Sequence, residues 1–262
     1  MPDLSFKNWQ VDLVRVTAFY GQVSEDARKG WSSWWTTLVG VPSEKTELRR
    51  RDAVLHEIGP FKGGDLILGI QPGRIDWYLR ATDKMAERAE GSAELAFITP
   101  DAAKGFYDLI LRWMKLDSCP GINRLAIGAI LLQPVESRQA GYRKLGMYLH
   151  SIKLDQESSD FLYQINRPRE SRVGITGLGI NRLCKWSVAL LGEVSVSLSV
   201  APKDSKPVKG AVVGQGHYAC RLELDVNTSQ EHETEFSRDK LNAIFSELVD
   251  QAQEISEKGD VQ

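Results

Sequence analysis

Within the 262-residue chain, the segment from Asp65 to Arg80 limits the fold more than any other. Pro72-Gly73 stands at its centre. Proline presets φ for the first turn position, and glycine supplies positive φ at the second. Folding back there sets Gln71 opposite Arg74, Ile70 opposite Ile75, Leu68 opposite Trp77 and Leu66 opposite Leu79. The last three pairs are wholly apolar and share one face. The other face pairs Gly69 with Asp76, Ile67 with Tyr78 and Asp65 with Arg80. An aromatic contact and a charge pair thus fall in register. A one-residue slip would move every apolar side chain to the wrong side, so the register is specified. A Pro-Gly type II turn splays a two-residue hairpin, so a longer loop is expected.

Other segments alternate in the same way. Trp9 to Tyr20, Ala53 to Phe61, Phe161 to Arg167, Ile180 to Leu191, Glu193 to Val200 and His217 to Val226 read as strands. In the last, Tyr218, Cys220, Leu222, Leu224 and Val226 face inward, and His217, Arg221, Glu223 and Asp225 face outward. Ile122 to Leu132 is almost continuously apolar, which predicts burial on both faces.

Helical spacing recurs in four places. Ser24 caps a first helix over about 24–39, with Glu25 and Asp26 in its first turn and Gly40 as its stop. Thr99-Pro100-Asp101 opens a second, ending near Asp117. Residues 137–149 form a third, interrupted by Gly141 and Gly146. Ser237 caps the last, with Phe236 and Leu241 as a hydrophobic staple and Lys258 to Gln262 as a frayed end. Ala201 to Lys209 reads as a mobile charged loop.

Strands joined by tight turns, with helices between groups of them, predict an α+β fold built on a mostly antiparallel sheet. The polar stretch 151–160 suggests a boundary between an N-terminal half, 1–150, and a C-terminal half, 151–262, with one continuous domain as the alternative. Gly-Ile-Asn-Arg-Leu occurs at 121–125 and at 179–183, each time entering an apolar strand. Two strand–helix–strand halves would explain the repeat, and so would coincidence.

Composition narrows the function classes. Formal net charge is −2, without the basic excess that marks a nucleic-acid footprint. The three cysteines, Cys119, Cys184 and Cys220, are far apart and form no CxxC, the usage of a reducing compartment. No signal-peptide pattern and no long apolar run is present, so a cytoplasmic location with no membrane span is expected.

Chemistry motifs are sparse. Gly214-Gln215-Gly216-His217-Tyr218-Ala219 matches a dinucleotide fingerprint, but a strand follows where the mechanism needs a helix. Gly174-Ile175-Thr176-Gly177-Leu178-Gly179 reads as a turn whose amides can form an anion nest. His56, His150, His217 and His232 share no ligand spacing, so no metal and no cofactor is expected. Glu223 and Asp225 on one strand face could hold Mg²⁺ in a nuclease, although an exposed strand face also uses carboxylates for solvation.

Arginine loops are the remaining polar candidates. Arg49, Arg50 and Arg51, with Arg167, Arg169 and Arg172, suit phosphate or carboxylate, but acids are interleaved with them. Trp31, Trp34 and Trp35 cannot all face one narrow core stripe, so at least one is expected at a protein interface.

The strand entry Ile122-Asn123-Arg124-Leu125-Ala126-Ile127-Gly128, the late strand Arg221-Leu222-Glu223-Leu224-Asp225-Val226-Asn227 and the closing helix with Leu241 and Phe245 resemble a sporadically distributed, uncharacterised bacterial protein family of about this length. The likeness covers the second half best. It implies bacterial origin and patchy inheritance alongside mobile or defence loci, and supplies no catalytic residue.

Three functions are expected from these features. The first is a non-enzymatic binding or assembly subunit with a protein partner or a second copy of itself. The second is an RNA-binding or RNA-processing protein of ferredoxin-like repeats. The third is a metal-dependent nuclease.

Overall fold

The protein is represented by a computed structural model that describes residues 4–24, 30–49, 51–82, 96–191, 216–232 and 234–260. Its strands are β1 (Gln10–Tyr20), β2 (Lys45–Arg49), β3 (Val54–Phe61), β4 (Gly64–Gln71), β5 (Arg74–Ala81), β6 (Ile122–Val135), β7 (Leu162–Asn166), β8 (Arg169–Glu170), β9 (Gly179–Leu191) and β10 (His217–Thr228). The helices are α1 (Trp34–Val39), α2 (Pro100–Trp113), α3 (Arg138–Leu145) and α4 (Arg238–Lys258). The strands form one sheet in the order β2-β3-β4-β5-β1-β6-β10-β9-β7, with β8 beside β9. Every pairing is antiparallel. The fold is α+β, and strands from both halves of the sequence meet where β6 pairs with β10.

The β4–β5 hairpin has the register that alternation dictates, from Gln71 opposite Arg74 to Asp65 opposite Arg80. Its loop is two residues, not longer as expected. Gly73 takes φ 76°, and strand β1 clamps the turn. Tyr20 donates its backbone N–H to Gly73 O at 3.1 Å and its hydroxyl to Gln71 O at 2.8 Å. A tertiary contact thus holds a turn that an isolated hairpin would splay.

All four described helices stand on one face of the sheet. Tyr107 of α2 stacks on Phe245 of α4 at 5.0 Å between ring centroids. Trp113 of α2 meets Trp77 of β5 at 6.2 Å and Trp34 of α1 at 5.7 Å. Trp9, Tyr148 and Trp186 form a second aromatic group, and Trp9 Nε1 donates to Ser256 O of α4 at 2.9 Å. Cys220 of β10 donates its thiol to Gly141 O of α3 at 3.4 Å. Each large side chain buried there contributes roughly 1.5–3 kcal/mol.

Several expectations need correction. The described part of the first helix is a 3₁₀ turn, Gly30–Ser33, followed by the short α1, and Glu25 and Asp26 lie outside the described residues. Ser237 stands at the N-cap of α4 without a side-chain cap hydrogen bond, while Phe236 and Leu241 are both buried. The end of that helix is not frayed at Asp260, which is 3% exposed and accepts the N–H groups of His150 and Ser151. Strand β6 is largely buried on both faces, as its apolar run predicts, although the described helices cover only one of them. On its outer face Ala126 is buried, and Arg15 lies across Gly128. The expected strand Glu193 to Val200, the loop Ala201 to Lys209 and the start of the Gly214 motif lie outside the described residues.

The repeated pentapeptide takes two different settings. In β9 the residues alternate regularly, so Ile180 and Arg182 face the helices and are buried. In β6 the register with β1 shifts between Arg124 and Ile122. This bulge at Asn123 keeps Ile122 inside but sends Arg124 to the opposite face.

Candidate functional site

Because the helices share one side, the outer face of the sheet is built from strand side chains alone, with no described helix upon it. Alternation places Arg74, Asp76, Tyr78 and Arg80 of β5 there, with Arg15, Thr17 and Phe19 of β1, and Arg124 of β6. Strand β10 adds Arg221, Glu223, Asp225 and Asn227, β9 adds Asn181 and Lys185, and β7 adds Asn166.

These side chains form a hydrogen-bonded line across the strands. Asn166 donates to Asn181 Oδ1 at 3.0 Å, and Asn181 donates to Asn227 Oδ1 at 3.2 Å. Asn227 donates to Asp225 Oδ1 at 2.8 Å, and the other oxygen of Asp225 lies 3.5 Å from Arg15 Nη2. On the other side of β1, Thr17 donates to Asp76 Oδ1 at 2.5 Å, while Arg74 grips Asp76 with two nitrogens at 2.7 and 2.9 Å. That bidentate bond raises the Arg74 pKa above its ordinary value, against the opposing effect of burial. Phe19 sits between two guanidinium groups, with Arg124 Cζ at 4.9 Å and Arg74 Cζ at 5.8 Å from its ring centre.

Charge on this face is nearly balanced. Arg15 meets Asp225, Arg74 meets Asp76, Arg80 meets Asp65, and Lys185 and Arg221 share Glu223. Burial pushes the Asp12 carboxyl pKa up, and Arg221 partly offsets the rise. Arg124 differs from its neighbours, since its hydrogen bonds go to Thr228 O at 3.2 Å and Asn227 Oδ1 at 3.0 Å rather than to a carboxylate.

The residues singled out from sequence are dispersed. Arg49 ends edge strand β2, Arg51 lies in the turn after it, and Arg50 lies outside the described residues. Arg167, Arg169 and Arg172 are at the far edge, against the C-terminal segment. Arg169 Nη1 meets Glu254 at 2.5 Å, Arg172 Nε meets Glu247 at 3.2 Å, and Arg167 Nη2 lies 4.0 Å from Asp260. Trp31, Trp34 and Trp35 are 3%, 0% and 1% exposed, so the expectation that one is exposed at an interface is corrected. A 3₁₀ turn ahead of α1 rotates Trp31 off the α-helical stripe, and Ser118 holds both Trp31 Nε1, at 3.1 Å, and Trp34 Nε1, at 2.7 Å.

Glu223 and Asp225 do share a face, but each is engaged by a basic side chain, and no cluster of three metal-ligating groups occurs among the described residues. Burial pushes the Cys119 thiol up to about 12 and the Cys220 thiol up to about 11, so neither is a ready nucleophile. The Asn166–Asn181–Asn227 line was not found from sequence. The only signal was an asparagine at the outward position of three strands, and its meaning depends on which strands are neighbours.

A shallow cleft of about 470 Å³ opens at the end of β1 and β6, lined in part by Asn8, Gln133, Lys144 and Met147. Gln133 donates to Asn8 O at 2.7 Å across it. No described helix is long and apolar enough to cross a membrane. No protein-family model matches the chain, and it has no significant match among curated proteins or solved structures.

Proposed function

We propose that this chain is a non-enzymatic binding subunit that docks a protein partner on the outer face of its sheet. One observation supports the reading above the others: the outer face is ordered by its own hydrogen bonds, and no described helix covers it. Preorganised polar groups lose little freedom on association, so such a face is suited to specific contact. Most of its cations are met by carboxylates, which favours a polypeptide over a phosphate backbone, because counterion release needs uncompensated cations. The two sheet edges differ as well. Strand β2 presents Lys45, Glu47 and Arg49, a charged edge that resists strand addition, whereas β7 has no charged residue and exposes Leu162. A partner approaching from the β7 side meets both the edge and the asparagine line.

The test is light scattering with size-exclusion chromatography on protein from its native host, comparing wild type with Leu183→Glu. Leu183 points outward on β9 and is part of no hydrogen-bond line described above. Wild type is expected to co-elute with a partner at a mass above one chain and a low 260/280 nm ratio, and the variant to elute alone. A raised ratio that falls after nuclease treatment would instead support the RNA reading, for which Arg124 beside Phe19 is the favourable feature on this face. Equal elution of the two proteins as single chains would overturn docking on this face.

A further inference from the structure

The arginines at the β7–β8–β9 edge form a second polar centre, on the helix side of the sheet. Arg167 donates its backbone N–H to Arg182 O at 3.4 Å, and Arg169 pairs with Ile180 in β9. All three arginines thus face α4 and the residues just after it. The Arg182 side chain is 0% exposed. Its Nη2 reaches Glu254 Oε2 at 3.3 Å, while Nε and Nη1 have no hydrogen-bond partner among the described residues, and the same is true of Arg167 Nε. A buried guanidinium with unmade donors is costly unless an anion meets it.

The local charge is also unbalanced. Among the described residues that pair here, Arg167, Arg169, Arg182 and Lys258 supply four positive charges against two carboxylates, Glu254 and Asp260, a net +2. Asp260 is already engaged by the N–H groups of His150 and Ser151 and by the Tyr163 hydroxyl at 3.2 Å. Glu254 serves three cations: Arg169, Arg182 and Lys258. The edge is open to solvent at Arg167 and Arg169, whose side chains are 21% and 32% exposed, and at Glu254, 23% exposed.

We propose that Arg167, Arg169 and Arg182 form a binding site for a phosphate dianion, in which the Glu254 carboxylate is the internal occupant that the ligand displaces. A dianion matches the local excess of charge. Planar guanidinium groups suit its oxygens, and Glu254, which pairs with both Arg169 and Arg182, is 23% exposed where Arg182 is 0% exposed. The phosphate can be free or the end of a phosphomonoester, since the site needs only the terminal group. This inference is independent of what docks on the outer face.

Calorimetric titration at constant ionic strength, with inorganic phosphate in one arm and phenyl phosphate in the other, tests it. Saturable binding is expected. Glu254→Gln should tighten it about ten-fold by removing the competing carboxylate, and Arg167→Gln with Arg169→Gln should weaken it by at least as much. Similar affinity in both arms means that the terminal group suffices. Binding of phenyl phosphate alone identifies an ester as the ligand. Circular dichroism confirms that each variant is folded, and phosphorus-31 line broadening on the unaltered protein gives a readout that needs no variant. Absence of both heat and broadening with the unaltered protein would overturn the site. So would binding that is unchanged in the double arginine variant.

Discussion

Glu247 shows how single residues are placed in this chain. Read along α4 it is one more exposed-looking acid, yet its side chain is 5% exposed. It accepts the Ser171 hydroxyl at 2.6 Å, the Arg172 backbone N–H at 2.9 Å and the Gln251 amide at 3.3 Å, with Arg172 Nε at 3.2 Å. Burial alone would raise its pKa, but these donors outweigh burial and hold it below the ordinary carboxylate range. Glu247→Ala should therefore lower stability by roughly 2 kcal/mol, because hydrogen bonds to a charged group are lost and buried donors are left unmet. Urea denaturation checks this, and an unchanged midpoint would refute it. Trp31, Trp34 and Trp35 give the opposite lesson. Their chemistry was plain in the sequence, but their burial was not, since helical spacing assumed one regular helix where a 3₁₀ turn precedes a short one.

Two helical glycines separate element propensity from packing. Alanine stabilises an isolated helix by about 1 kcal/mol over glycine. The nearest atoms to a Cβ at Gly105 of α2 would be the flexible end of Lys62, with Cδ at 2.5 Å, so the side chain can move aside. Gly105→Ala is expected to raise the melting temperature slightly. A Cβ at Gly141 of α3 would meet Val188 Cγ2 at 2.8 Å and Cγ1 at 2.9 Å on the sheet beneath. Gly141→Ala should destabilise the protein, by about 1–3 kcal/mol, because the core would be overpacked, and Val188→Ala added to it should restore part of the loss. Paired thermal melts decide the matter, and an increase at both sites would show that close packing of α3 is absent. In sequence both glycines looked like helix interruptions or nothing at all.

For the whole molecule, acid sensitivity resides where the C-terminal segment meets the sheet edge and the loop after α3. Burial pushes the carboxyls of Glu247, Glu254 and Asp260 upward, but their hydrogen bonds and arginine neighbours win, so all three pKa values end below their ordinary ones. A pKa that is lower in the folded chain contributes stability that is complete above the unfolded value, about 4, and lost as pH falls through the folded value. The melting temperature is therefore expected to hold steady above about pH 5 and to fall steeply below about pH 4. Asp260→Asn should start lower and fall less, and a variant that falls as steeply as the parent would rule out Asp260 as a source.

Alternation and turn chemistry by themselves determined the β4–β5 register, the inward and outward residues of β10, the cap of α2 and the antiparallel α+β class, because each depends on neighbours within a few residues. Strand order depends on distant pairings, and only the tertiary structure decided it. That order sets three asparagines from β7, β9 and β10 in line, neutralises Glu223 and Asp225, and buries Arg182 against α4. The twin pentapeptides state the division most sharply. The same five residues point their arginine to opposite faces, because one copy meets β1 through a bulge and the other meets β10 in regular register.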